Sequence, residues 1–118
     1  MRKLLSASLG LIALFFLPLR AGDVQAKKVT GAASTTQLST TSTPVRWIQL
    51  VTPSANSANV IWGDCTVTSS ANGSIIPAGA GQMLPPTQSG GYDLAQVCIY
   101  VASMDVVYVS YEKFQTGN

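Results

Sequence analysis

Tyr92-Asp-Leu-Ala-Gln-Val-Cys-Ile-Tyr-Val-Ala-Ser-Met-Asp-Val-Val-Tyr-Val-Ser-Tyr-Glu-Lys113 is the stretch from which the fold is read. Val97, Ile99 and Val101 alternate with Cys98 and Tyr100, and Val107, Val109 and Tyr111 alternate with Tyr108, Ser110 and Glu112. A period of two in β-branched and aromatic residues is the signature of strands. The pattern predicts two strands joined by a tight turn at Ser103-Met104-Asp105. The rows Val97/Ile99/Val101 and Val107/Val109/Tyr111 are expected to point inward. A lone hairpin is marginal in water, so the chain upstream must supply a partner sheet.

That sheet is sought from Pro44 onward. Val45-Arg-Trp-Ile-Gln-Leu-Val-Thr52 is rich in strand formers, with Trp47 and Val51 on one face and Ile48 and Leu50 on the other. Apolar residues on both faces suit a strand covered on both sides. Asn59-Val-Ile-Trp-Gly63, Thr66-Val-Thr68, Ile75-Ile76 and Gln82-Met-Leu84 are further short strands. Ala71-Asn72-Gly73-Ser74 marks a hairpin, because Asn-Gly accepts positive φ. No window after Leu38 keeps a helical apolar period. Short strands with turn signals every 8 to 12 residues predict an all-β body, a small antiparallel β-sandwich or barrel over residues 44–118.

Two segments precede it. Arg2 and Lys3 lead into Leu4 to Leu17, an uncharged, largely apolar run of 14 residues ended by Pro18. This suits the core of a secretory signal and is short for a membrane-spanning helix. Val24-Gln-Ala26 fits a cleavage site, making residues 1–26 a signal-like segment. The alternatives are an uncleaved membrane anchor, a hydrophobic arm packed in an assembly, or a start codon set too far upstream. Nine of the fourteen residues from Thr30 to Thr43 are Ser or Thr. They bury too little to offset their ordering entropy, so residues 27–43 are expected to be a flexible, solvated Ser/Thr-rich arm.

Of 118 residues, only 10% are charged, and the net charge is +2. Beyond residue 28, Arg46 and Lys113 stand against Asp64, Asp93, Asp105 and Glu112. A near-neutral body has no basic patch for nucleic acid. There is no histidine, so no Ser-His-Asp or Cys-His nucleophile is available. Two cysteines without histidine make a poor zinc site. Asp64, Asp93 and Asp105 sit where turns and caps use aspartate. The chain is therefore expected to be no enzyme, with no catalytic residue, cofactor or metal. An exported chain can form a Cys65–Cys98 bridge. Alternation opposes it, since Cys98 points away from the inward row while Cys65 shares a face with Val67, taken as inward. Two unpaired thiols are expected.

Larger blocks add up to a likeness. Arg46-Trp-Ile-Gln-Leu50 is followed by Ser54-Ala-Asn56 ahead of Val60-Ile-Trp-Gly-Asp64. Val67-Thr-Ser-Ser70 precedes Ile76-Pro-Ala-Gly79, then Leu84-Pro-Pro86. Tyr92-Asp-Leu-Ala-Gln-Val97 and the turn Ala102-Ser-x-Asp105 precede Val107-x-Val109. Over residues 45–113 the chain resembles the small all-β virion proteins of tailed bacteriophages, of structural, decoration or head-fibre-like type. It departs from them at Cys65 and Cys98, and at Met104 where the turn ordinarily takes glycine. The resemblance implies a non-enzymatic role in the virion, with other virion proteins and further copies of itself as partners. Taking the signal at face value implies instead an exported bacterial β-sandwich, an adhesin-like, envelope or carbohydrate-binding module. It would be periplasmic or extracellular after cleavage near Ala26, and would meet a membrane only through an uncleaved apolar segment.

Interfaces favour aromatic residues and are depleted in Lys, Glu and Asp at their centres. Trp47, Trp62, Tyr92, Tyr100 and Tyr108 are the candidates. Trp47 and Trp62 are better explained as core. Tyr100 and Tyr108 lie opposite the aliphatic rows and are expected to pair on one outer face around the Ser103–Asp105 turn.

Overall fold

The computed structural model describes residues 23–88 and 90–114, so the first 22 residues of the signal-like segment 1–26 lie outside them. The described chain is all-β apart from the 3-10 turn Leu94–Gln96. Its strands are β1 (Asp23–Thr30), β2 (Thr35–Gln37), β3 (Pro44–Val51), β4 (Val60–Asp64), β5 (Ser74–Ile76), β6 (Gly81–Met83), β7 (Tyr92–Asp93), β8 (Val97–Tyr100) and β9 (Val106–Lys113). The first sheet runs β1-β9-β3-β6, with β7 also on β3, and the second runs β2-β8-β4-β5. Every pairing is antiparallel. One core lies between them. Val45, Ile48, Leu50, Val107, Val109 and Tyr111 enter it from the first sheet, and Val60, Ile76, Val97 and Ile99 from the second.

Both aliphatic rows of the 92–113 stretch are buried, as their alternation requires. The strands that carry them do not form a hairpin. β8 pairs with β2 and β4, whereas β9 pairs with β1 and β3. The turn is an arch that carries the chain from one sheet to the other. Its polar groups are satisfied by neighbouring loops: Gly31 N donates to the Asp105 carbonyl at 2.8 Å, and Ala33 N to that of Val101 at 3.0 Å. The Asn56 amide brackets Val106, donating to its carbonyl at 2.7 Å and accepting from its N–H at 2.9 Å. The Asp105 carboxylate accepts from Ser57 N at 2.9 Å and Ala58 N at 3.0 Å. β9 is thereby anchored at its start without help from β8. A Cβ on Gly31 would stand 2.1 Å from the Ala102 carbonyl oxygen, so only glycine admits this close approach.

The Ser/Thr-rich segment is not a solvated arm. β1 pairs with β9 along all eight of its residues, β2 pairs with β8, and Leu38 is fully buried. Lys27 Nζ donates to the Leu38 carbonyl. The ordered body thus begins before Pro44. Counting apolar side chains misses this, because an edge strand is held largely by its backbone ladder, and threonine suits a pleated surface.

β3 is not a strand covered on both sides. Its ladder with β9 shifts between Val45 and Trp47, where Arg46 is the extra residue of a bulge. The bulge returns Val45 to the core face together with Ile48 and Leu50. Trp47, Gln49 and Val51 then face outward.

Thr66-Val-Thr68 forms a turn rather than a strand. β4 and β5 do pair as a hairpin, but residues 65–73 connect them as a loop. That loop folds back over the outer face of the second sheet. Thr68 Oγ1 bonds the Asp64 carbonyl at 2.6 Å, and the Thr35 hydroxyl bonds the Thr68 carbonyl at 2.7 Å. Val67 is 52% exposed, not inward. The two cysteines are bonded, with Cα atoms 4.9 Å apart. Cys98 does point away from the core, opposite side-chain-free Gly63. The parity argument fails at Cys65, which lies in the turn, off any strand, and turns onto the same outer face. The bridge and its loop bury Cys98.

Candidate functional site

Three surfaces carry the candidate residues. The first is the outer face of the first sheet. Trp47 is half-buried there, and its indole N–H donates to Glu112 at 3.0 Å. Tyr108 is exposed and stands opposite Val51 on β3 and Lys28 on β1. Met83, opposite Gln49, is also exposed. Alternation on β9 sets Tyr108 outward because Val107 and Val109 are inward.

The second is the outer face of the second sheet. Tyr100 is half-buried and stands opposite Ile61, which in turn faces Ile75. Ile75 is 58% exposed. Ile61, Ile75, Tyr100 and Ala102 line a shallow depression of about 270 Å³. Tyr100 and Tyr108 therefore do not pair on one face. The arch puts them on opposite sheets, pointing away from each other.

The third is a cleft of about 570 Å³ where the two sheets part, with Trp62 and Asp64 on β4, Tyr92 and Asp93 on β7, and Gln96, Val97 and Phe114 along its walls. Trp62 is half-buried against the core, and its indole N–H donates to Gln82 of the other sheet at 3.3 Å. The Tyr92 hydroxyl donates to the Pro85 carbonyl, and burial raises its pKa. Asp93 caps the 3-10 turn, accepting from Ala95 N at 3.0 Å, and also takes Thr43 N at 2.8 Å and the Ser42 hydroxyl at 2.6 Å. The Ser42 hydroxyl, then Thr43 N, hold its carboxyl below the usual value. Asp64 is likewise held low, first by the Thr66 hydroxyl at 2.6 Å. Arg46 stacks on Phe114, with its guanidinium carbon 4.9 Å from the ring centre.

No protein-family model, curated protein or solved structure matches this chain. Its surfaces must speak for its function. Among the described residues no group of three or more acidic or cysteine side chains is placed to hold a metal ion. The sequence named Trp62 and Tyr92 but not their meeting in one cleft, which depends on β7 returning to β3. It did not name Ile75 or Met83 as surface candidates, because their three-residue strands lack the alternation needed to assign a face, nor Val51, whose face the bulge in β3 obscured.

Proposed function

We propose that this chain is a non-enzymatic structural protein of a virus particle, a decoration or capsid- or tail-associated β-protein that works by docking on neighbouring subunits. The observation that carries this reading is the exposed apolar side chains on both outer faces. Tyr108, Met83 and Val51 are exposed on one, and Ile75 and Tyr100 stand on the other, while Asp105 and Asp93 are spent on internal hydrogen bonds. Exposed apolar surface on a sheet face is characteristic of contact sites. Faces on opposite sides let one chain bridge two neighbours, as a lattice component must.

The Cys65–Cys98 bridge favours a second reading, an exported β-module of the envelope or cell exterior. Disulfides persist in oxidising surroundings, which include both secreted proteins and virion surfaces. Peptide mass spectrometry of gradient-purified virus particles from the source separates the two. Stoichiometric presence in particles is the expected result. Absence from particles, with a form starting near Lys27 in the periplasm or medium, would overturn the virion reading in favour of the exported one.

A further inference from the structure

We propose that the cleft between the sheets binds a sugar ring, taking an amino sugar more tightly than a neutral one and refusing an acidic one. This rests on neither outer face. The volume of about 570 Å³ lies within the ~300–1,000 Å³ typical of small-molecule sites. Three aromatic side chains line it: Phe114 just past β9, and one from each sheet, Trp62 and Tyr92. Both are held in place by their polar ends, Trp62 by Gln82 and Tyr92 by the Pro85 carbonyl. Fixed aromatic walls with a few polar groups beside them match a ligand whose ring has an apolar C–H face and a hydroxylated edge.

The polar groups fit the edge. Asp64 and Asp93 also come one from each sheet, and Gln96 adds an exposed amide. Three donors occupy Asp64 Oδ1, from Thr66 N, the Thr66 hydroxyl and Val67 N. An ionised carboxylate offers about four acceptor sites, so each of these keeps room for a ligand hydroxyl. Those internal donors also keep both groups ionised well into the acid range. Neither is raised as a proton-donating glycosidase carboxyl must be, so the pair suits binding rather than bond cleavage. Among the described residues the lining includes no Lys or Arg, and Arg46 is stacked on the lining residue Phe114. Two anionic groups without a lining cation attract an ammonium substituent and repel a carboxylate.

The test uses the full chain labelled with nitrogen-15, because its two indole N–H signals report two places. Trp62 sits in the cleft and Trp47 on the outer face, bonded to Glu112. The chain is titrated with the β-1,4 dimer of glucosamine, with cellobiose and with digalacturonate. The expected result is a saturable shift of the Trp62 signal with the first two, tighter for the glucosamine dimer, and none with the acid. Trp47 stays still. Gln96→Lys, at an exposed position, weakens binding of the glucosamine dimer about tenfold and leaves the unfolding midpoint in place. A Trp62 signal unmoved by both basic and neutral dimers overturns the proposal. So does equal movement of both indoles, saturable binding of digalacturonate, or a Gln96→Lys chain that binds the glucosamine dimer unchanged.

Discussion

Replacing Cys65 by Ser and Cys98 by Ala opens a covalent loop whose ends are 33 residues apart in sequence. In the loop-closure relation a cross-link of that span removes unfolded-state freedom equivalent to about 3.7 kcal/mol at 25 °C. Cys98 is 2% exposed, so loss of its sulfur also leaves a small void, costing about 1 kcal/mol. The sum of about 5 kcal/mol corresponds to a fall in Tm of about 20–35 °C in a domain of this size. Guanidinium unfolding followed by tryptophan fluorescence resolves the two contributions. Reduced wild type keeps both sulfurs and should lose only the loop part, and the double variant should fall slightly below it. Denatured, unreduced protein should titrate no free thiol. Two thiols per chain, or a midpoint that reduction leaves in place, would refute the argument that the bridge straps residues 65–73 to the second sheet. Disulfides persist in oxidising surroundings, so the same titration on material taken from its source reports whether the folded protein has met them.

Met104 adopts φ 73 and is 83% exposed, so it bears left-handed strain of about 1–2 kcal/mol without packing in return. Met104→Gly relieves that strain, offset by about 0.4–1 kcal/mol of added unfolded-state freedom, and should stabilise the chain by about 0.5–1 kcal/mol in denaturant unfolding; a loss of stability would show that the turn is not strained. Asp64, Asp93 and Asp105 titrate below their ordinary value when folded, Asp105 chiefly through Ser57 N. The unfolded chain therefore binds protons first, so this stability is complete above the ordinary carboxylate range and lost as pH falls below it through the lowered folded values. The urea midpoint should hold from neutral pH to about 5 and drop below about 4, and Asp105→Asn should flatten that drop; an acid limb unchanged in the variant would detach it from the arch. Tyr108→Ser and Tyr100→Ser lie on opposite faces and should each reduce self-association or particle occupancy independently, measured by sedimentation and by particle stoichiometry, with the monomer still folded. Assembly unchanged in the double variant would remove both faces from the reading.

β8 and β9 were legible because alternation is a local signal. Val97, Ile99, Val107 and Val109 point inward as their spacing requires, and they do so whether β8 and β9 lie side by side or face each other. Alternation states which side of a strand is dry. It does not state which strand is the neighbour. That choice was made elsewhere, by Asn56, Ser57 and Gly31, whose bonds to residues 105 and 106 turn the chain from one sheet to the other. Met104 was the one local mark of something unusual in the turn. The Tyr100–Tyr108 face followed from the assumed hairpin and went with it. The bulge at Arg46 hid the sidedness of β3 in the same way, since one inserted residue reverses parity within a strand. The cysteine argument used parity where Cys65 has none, being in a turn.

The N-terminal segment and the sheet meet at β1. The cleavage-like sequence Val24-Gln-Ala26 lies inside the ladder, opposite Glu112, Tyr111 and Ser110 of β9. A chain beginning at Lys27 keeps Lys27–Thr30 against Val109–Val106 but leaves Ser110–Lys113 without its β1 partner. The Tyr111 hydroxyl also loses Gln25, its partner at 3.2 Å. An open strand edge is a template for another strand, and this one borders the outer face that carries Tyr108 and Trp47. Retention of Asp23–Ala26 fills the edge from within and leaves docking to the side chains of the sheet faces. Removal offers the edge to another chain, adding backbone pairing beside the same aromatic patch. On the docking role proposed above, the first residue of the chain would decide which kind of contact the first sheet makes, so the N-terminus seen in particles or in the medium bears on mechanism as well as on location.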